Sequence, residues 1–158
     1  MLLLLTALLL TGTANQVSPV DIEALPSLSP GIEGELLIVD GRVLDAEGKP
    51  VPGAEIYAYH ADAAGKYHDD AYRGTVFTDR EGYYRFRTVR PGGYGPPPHI
   101  HFRVTAAGRP ALQPTLHFDR GAAPLRKIQV GDREAAAYTF DISWDAAGGS
   151  PAGRAPTR

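Results

Sequence analysis

The stretch TVFTDREGYYRFRTV, residues 75–89, decides the fold class of this chain. Two runs rich in strand-forming residues, 75–78 and 83–89, flank Asp-Arg-Glu-Gly at 79–82, which is typical of a tight turn. Similar short runs, separated by Gly and Pro turns, predict further strands at 36–39, 41–45, 54–59, 99–106, 112–118, 128–130 and 136–144. No amphipathic window is long enough for the helices of an α/β fold. The sequence therefore predicts an all-β fold, a β-sandwich of short, mostly antiparallel strands.

The length of 158 residues suits one domain, which we place at 36–147. Residues 15–35 are rich in Pro, Ser and Gly and predict an extended N-terminal arm, and the composition of 148–158 predicts a disordered tail. Residues 1–14 are an apolar run followed by small residues, too short to span a bilayer and typical of a signal peptide. A buried N-terminal helix is the alternative. We expect a secreted or periplasmic protein.

Composition excludes several classes of function. The net charge is −2, with Lys and Arg scattered along the chain, so nothing forms the basic stripe that nucleic-acid binding needs. Cysteine is absent, which removes thiol nucleophiles, iron–sulfur clusters and zinc–thiolate sites. Any metal site must therefore use His, Tyr or carboxylate side chains.

His99-Ile100-His101 is the sharpest chemical feature. In a strand, residues i and i+2 point to the same side, so the two imidazoles converge while Ile100 faces the core. Phe102 and Val104 continue the apolar phase, which leaves the histidines in a polar or liganded setting. A His-x-His pair alone is more often a surface or hydrogen-bonded pair than a metal site.

Two tyrosines change that balance. Tyr94 lies in the proline-rich loop 91–98 that leads directly into the histidines, and proline stiffens such a loop. Tyr67 lies in another turn, after the strand at 54–59. Two phenols and two imidazoles form a hard, partly anionic ligand set that suits Fe(III), whereas zinc prefers His, Cys and carboxylate. Each tyrosine taken alone is more often an amphipathic side chain at a sheet edge.

The order of motifs along the chain resembles the intradiol ring-cleavage dioxygenases, the family of catechol and protocatechuate dioxygenases. The resemblance covers roughly residues 36 to 145, and the matching motifs are GRV 41–43, GKPVPGA 48–54, ADAAGKY 61–67, YRG 72–74, TDREGYYRF 78–86, TVRPGGY 88–94 and PHIHF 98–102.

This resemblance implies a β-sandwich core and a non-haem Fe(III) centre whose ligands are Tyr67, Tyr94, His99 and His101. It further implies that a catechol-type substrate chelates the iron, displacing one tyrosinate, and reacts with O₂. Cleavage between the two hydroxyl-bearing carbons gives a cis,cis-muconate-type dicarboxylic acid. The resemblance also suggests a homodimer.

The sequence departs from the family at several pocket positions. Pro96 stands where the family keeps an Arg that steadies negative charge on the ring, and Tyr59 stands for a Trp. The family's Thr-Gln-aromatic segment is replaced in the stretch 114–118. We hypothesise that Arg73 supplies the missing cation, so that Tyr67 and Arg73 are the predicted catalytic residues.

Two other interpretations stay open. The stretch 41–94 also resembles the transthyretin-like and carboxypeptidase-regulatory modules, which are non-catalytic β-sandwiches, but these give no reason for Tyr67 or the histidine pair. Alternatively, the four ligands bind a metal without turnover, since Pro96 replaces the Arg.

Overall fold

The computed structural model describes residues 21, 23–31, 33–118, 125–130 and 133–144. This part of the chain contains nine strands and no helix. The strands are β1 (Leu36–Leu44), β2 (Glu55–Tyr59), β3 (Arg73–Phe77), β4 (Tyr83–Val89), β5 (His99–Thr105), β6 (Thr115–His117), β7 (Arg126–Val130), β8 (Arg133–Thr139) and β9 (Ile142–Ser143). The prediction of an all-β fold is confirmed. Within the described residues no helix is long and apolar enough to cross a membrane.

The strands form two sheets. In the first, the order is β4-β1-β8-β7, with β9 also paired to β1. In the second, the order is β3-β2-β5-β6, and all its pairs are antiparallel. Only the pairs of β1 with β8 and with β9 are parallel.

The predicted strand 136–144 is two strands, because the chain bends at Phe140 and Asp141 between β8 and β9. Both residues bond to β1 at the bend. The Phe140 N–H donates to Asp40 O at 2.7 Å, and an Asp141 carboxylate oxygen accepts the Arg42 N–H at 2.8 Å. Through these contacts, β1 pairs first with β8 and then, beyond the bend, with β9.

The core lies between the sheets. Alternate residues of the strands point into it and are almost fully buried, among them Leu37, Val39, Ile56, Ala58, Val76, Phe86, Ile100, Phe102 and Val104. The period-two alternation leaves the other face of the second sheet for solvent or for a site. On the other face of the first sheet, a second buried cluster forms from Leu36, Ile38, Val130, Ala135 and Ala137.

Three turns share one construction, with an aspartate at the first position and a glycine at the fourth. One carboxylate oxygen accepts the backbone N–H groups two and four residues later, and the glycine N–H donates to the aspartate carbonyl. Each glycine has a positive φ, which glycine adopts without steric cost. The turns are Asp45–Gly48, Asp62–Gly65 and Asp79–Gly82, with φ of 78°, 84° and 75°.

Part of the predicted arm is described, and it lies along β4. The Leu28 N–H donates to Arg87 O at 3.0 Å, and the Arg87 N–H donates to Pro26 O at 2.9 Å. Leu28 is buried and packs over Gly74, where an added Cβ would come within 2.6 Å of the leucine side chain. The predicted signal peptide at 1–14 and the tail at 148–158 lie outside the described residues.

Candidate metal centre

The two histidines lie on the outer face of the second sheet, as their spacing predicts. Ile100 and Phe102 are buried in the core, whereas His99 and His101 point the opposite way. Cross-strand pairing then brings further side chains to the same face, because directly paired residues lie side by side. His101 is paired with Tyr59 on β2 and with Thr115 on β6.

Two loops bring the tyrosines over this face. Tyr67 lies between β2 and β3, and Tyr94 lies between β4 and β5. The two hydroxyl oxygens are 3.4 Å apart, and the Tyr94 hydroxyl is 3.4 Å from His99 Nε2. His99 Nε2 is in turn 3.0 Å from His101 Nε2. The structure thus brings together all four side chains predicted as ligands.

The histidine rings are oriented by their other nitrogens. His99 Nδ1 lies 2.7 Å from the Pro97 carbonyl, which only accepts, so the proton is on Nδ1 and the lone pair of Nε2 faces the site. His101 Nδ1 lies 3.4 Å from the Thr115 hydroxyl. A ligating histidine is typically held in this way, with one nitrogen bonded to the protein and the other free for the metal.

The protonation equilibria favour neutral groups before a cation is present. Burial, followed by the neighbouring imidazoles of His99 and His117, lowers the pKa of His101 and so favours the neutral form that ligates metals. Burial and the contact with Tyr94 raise the pKa of the Tyr67 phenol above its ordinary value. A multivalent cation reverses such a shift, because its charge stabilises the phenolate.

Aromatic rings surround the four side chains. Tyr59 stacks on His101 with ring centroids 4.8 Å apart, and it lies 6.5 Å from the Tyr67 ring. The His117 ring lies 5.6 Å from His99. Tyr94 is 46% exposed, so the site is open to solvent on that side. The resemblance placed Tyr59 and the stretch 114–118 at the pocket, but their contacts with His101 depend on the strand register and were not predicted.

Arg73 lies next to this centre. It is paired with Tyr59 across β2 and β3, its Nη2 donates to the carbonyl of His68, and its Nη1 donates to the Tyr57 hydroxyl at 3.4 Å. The guanidinium is thus held at the residue that follows Tyr67. Within the described ranges, no hydrogen bond joins it to the four candidate ligands.

Two other histidines lie in the loop that carries Tyr67, and both have partners outside the candidate centre. His60 is buried, with Nδ1 2.7 Å from the Ala61 carbonyl and Nε2 2.8 Å from the Thr88 hydroxyl. His68 Nε2 lies 2.7 Å from the Asp62 carboxylate. In the part of the chain that the structure describes, no three His, Asp or Glu side chains converge as a metal site. The candidate centre therefore depends on its two phenols.

Comparison with known proteins finds relatives among dioxygenases. The family model described as "Dioxygenase" matches residues 19–130. The chain is 34% identical over 109 residues to a catechol 1,2-dioxygenase of Pseudomonas sp. (strain EST1001), a match that covers 52% of this chain and 36% of that protein. It is 40% identical over 91 residues to the protocatechuate 3,4-dioxygenase beta chain of Burkholderia cepacia, covering 45% of this chain and 39% of that one.

A solved structure extends the likeness over a whole domain. The dioxygenase domain of a dioxygenase carbohydrate-binding protein fusion from Streptomyces sp. SirexAA-E superposes with a TM-score of 0.65 at 29% identity, over 84% of this chain and 96% of that domain. The chain belongs to the intradiol ring-cleavage dioxygenase family. It spans little more than a third of the length of the two curated relatives named above.

Proposed function

We propose that the protein is a non-haem Fe(III) dioxygenase. Its substrate is a catechol-type ring, which it cleaves with O₂ between the two hydroxyl-bearing carbons to give a cis,cis-muconate-type dicarboxylic acid. The observation that carries the proposal is the series of two phenol oxygens and two imidazole Nε2 atoms, in which each atom lies 3.0–3.4 Å from the next. The names of the relatives, catechol and protocatechuate dioxygenases, support the substrate class.

The donor set fits ferric iron. Phenolate oxygen is a hard, charged donor, and two phenolates leave an Fe(III) ion with a single net positive charge, which eases its partial burial. The inward lone pair of His99 Nε2 supplies a neutral donor beside them. Tyr67, Tyr94, His99 and His101 would hold the ion. When bound, ferric iron supplies a Lewis acid and a template that makes the chelated catecholate electron-rich enough to react with O₂.

The tyrosine pair is suited to accept a substrate proton. Tyr94 is half exposed, and its hydroxyl lies 3.4 Å from that of Tyr67. Whichever of the two phenolates the substrate displaced would be free to accept a substrate proton, while the other would stay a ligand.

The rings of Tyr57 and Tyr59 offer a surface for the aromatic substrate. Their centroids are 5.8 Å apart, and Tyr59 joins that surface to His101. Arg73 donates to the Tyr57 hydroxyl, and we propose that its positive charge steadies the negative charge of the bound catecholate. Export from the cytoplasm and assembly as a homodimer stay predictions from the sequence and its resemblance.

The purified protein, loaded with Fe(III), tests the proposal. Tyrosinate bound to Fe(III) gives a visible charge-transfer band, so we expect a red-brown protein that consumes one O₂ for each catechol, hydroxyquinol or protocatechuate. Labelled O₂ should place both atoms in the dicarboxylic acid. Tyr67→Phe should weaken the band, whereas Tyr83→Phe, at an exposed tyrosine of β4, should leave it unchanged.

Two results would redirect the assignment. A colourless protein that holds no iron after loading would contradict it. A coloured protein that consumes no O₂ with any of the three substrates would favour binding without turnover, the function that Pro96 in place of the Arg suggests.

A further inference from the structure

The loop that carries Tyr67 is built around one carboxylate, that of Asp62. One oxygen accepts the N–H groups of Ala64 and Lys66, both at 2.9 Å, and the other lies 2.7 Å from His68 Nε2. Tyr67 stands between two of these held residues, Lys66 and His68. The placement of its phenol therefore depends on a side chain that is not itself a candidate ligand.

The same residue joins this loop to the loop of Tyr94. The Asp62 carbonyl accepts the Gly92 N–H at 2.8 Å. Around that bond the two backbones touch: a Cβ added to Gly65 would lie 2.4 Å from Gly93 O, and one added to Gly92 would lie 2.3 Å from Ala63 O. Because Gly93 directly precedes Tyr94, the contact fixes one tyrosine loop against the other.

The exit of the Tyr67 loop is fixed as well. Tyr72 has a φ of 57°, in the left-handed region that side chains other than glycine rarely adopt. Its ring packs between His60 and His68, at centroid distances of 5.7 and 5.2 Å, and its carbonyl accepts the His60 N–H at 3.0 Å. The bond between His60 and Tyr72 thus holds the two ends of the loop together. The Asp62 carboxylate holds the segment between them.

We propose that Asp62 is a positioning residue that sets the distance between the hydroxyls of Tyr67 and Tyr94. Its side chain holds the segment on both sides of Tyr67, and its carbonyl holds the loop of Tyr94. In the described residues it bonds to none of the four candidate ligands. The consequence for iron rests on the function proposed above, whereas the consequence for the two rings does not.

The chain offers a matched control at the turn between β1 and β2. Asp45 accepts the N–H groups of Glu47 and Lys49 in the same geometry and has its own charged partner, Arg109, at 3.7 Å. Asp45→Ala removes the same two bonds to backbone N–H groups as Asp62→Ala, at a turn that carries no candidate ligand. A general loss of turn stability would appear in both variants, but a loss of tyrosine placement only in Asp62→Ala.

Two further variants separate position from charge. Asp62→Asn keeps an oxygen that can accept the two N–H groups, so we expect it to behave as the wild type at the tyrosines. Asp62→Glu keeps the charge but moves the acceptor oxygen by one methylene, so we expect it to resemble Asp62→Ala. If Asp62→Ala does not fold, these two variants decide the question.

The first measurement uses the metal-free protein and follows the rings of Tyr67 and Tyr94, which in the structure are perpendicular neighbours with centroids 5.3 Å apart. We expect NMR cross-peaks between the two rings in the wild type, Asp45→Ala and Asp62→Asn, and their loss in Asp62→Ala and Asp62→Glu. Cross-peaks that persist in both of the latter would overturn the proposal, whether or not the protein binds iron.

The second measurement uses the iron-loaded protein with a competing chelator. We expect the affinity of Asp62→Ala and Asp62→Glu for Fe(III) to fall about 10–100-fold, the usual effect of removing groups that orient ligands, and the charge-transfer band to shift. Unchanged affinity and band in a coloured protein would also overturn the proposal. A wild type without iron would contradict the proposed function alone, and the ring cross-peaks would still decide the role of Asp62.

Discussion

At the scale of single residues, the alternation of β5 explains why two candidate ligands could be predicted from the sequence. The side chains that contact them from neighbouring strands could not. His99 and His101 share a face because they are two residues apart in one strand. Thr115 reaches His101 only because β6 pairs with β5 in one register, and register is set by the whole sheet rather than by local sequence. Tyr94 was supported by its proline-stiffened loop, which leads directly into the histidines, whereas Tyr67 rested mainly on the resemblance, since nothing local places its separate loop at this site.

Thr115 supports the orientation of His101, and its replacement has a testable effect. In Thr115→Val the shape is nearly kept, but His101 Nδ1 loses the hydroxyl 3.4 Å away. We expect an affinity for Fe(III) lower by about tenfold, with little change in melting temperature, measured by chelator competition. Thr75→Val makes the same change at an exposed position of β3 and should leave the affinity unaltered.

Arg73 gives a second prediction at this scale. If its charge acts on the bound substrate, Arg73→Ala should lower kcat/KM for catechols by tenfold or more, while Arg73→Lys retains part of the rate. The iron content of each variant is measured in parallel, because Arg73 also donates to the carbonyl of His68. An unchanged kcat/KM in Arg73→Ala would show that the arginine does not replace the family's cation.

At the scale of elements, the strands and the turns were mostly predictable, whereas their partners were not. Strand-forming runs bounded by Gly and Pro predicted β2, β4 and β5 to within a residue or two. The break between β8 and β9 was missed, because it depends on a bond between Arg42 and Asp141, 99 residues apart in sequence. Local sequence patterns do not predict a contact between residues so far apart.

Gly41 makes that break possible, since β1 and the bend approach closely there. A Cβ on Gly41 would lie 2.0 Å from Phe140 O, a contact that only a backbone shift could relieve. We expect Gly41→Ala to lower the free energy of unfolding by about 3 kcal/mol, at the upper end for overpacked sites, in urea denaturation. Gly31→Ala, where no atom lies within 4 Å of the added Cβ, is the control and should change stability little.

At the scale of the whole molecule, a buried polar contact joins the two sheets. His60 follows β2 in the second sheet, and its Nε2 lies 2.8 Å from the hydroxyl of Thr88 on β4 in the first. Burial lowers the pKa of His60 from 6.5 to about 4, so the ring is neutral in the folded protein at neutral pH.

The shift makes folding stability depend on pH. Between pH 6.5 and pH 4 the unfolded chain binds a proton at His60 that the folded protein does not, so stability falls as the pH is lowered. The contribution is at most about 3–4 kcal/mol, at roughly 1.4 kcal/mol for each pKa unit. Urea denaturation at several pH values should show that the free energy of unfolding falls less steeply with decreasing pH in His60→Gln than in the wild type. The same fall in His60→Gln as in the wild type would contradict the assignment, and His117→Gln, at an exposed histidine, is the control.

The two-faced strands of the second sheet have a consequence for how such a protein changes over generations. The inward residues of β2 and β5 hold the core, and the outward residues Tyr57, Tyr59 and His101 line the candidate centre. Substitutions at Tyr57 or Tyr59 therefore carry little penalty in foldability, because those side chains are not part of the packed interior. Within the same strands, the outward residues thereby provide evolvability and the inward residues provide robustness.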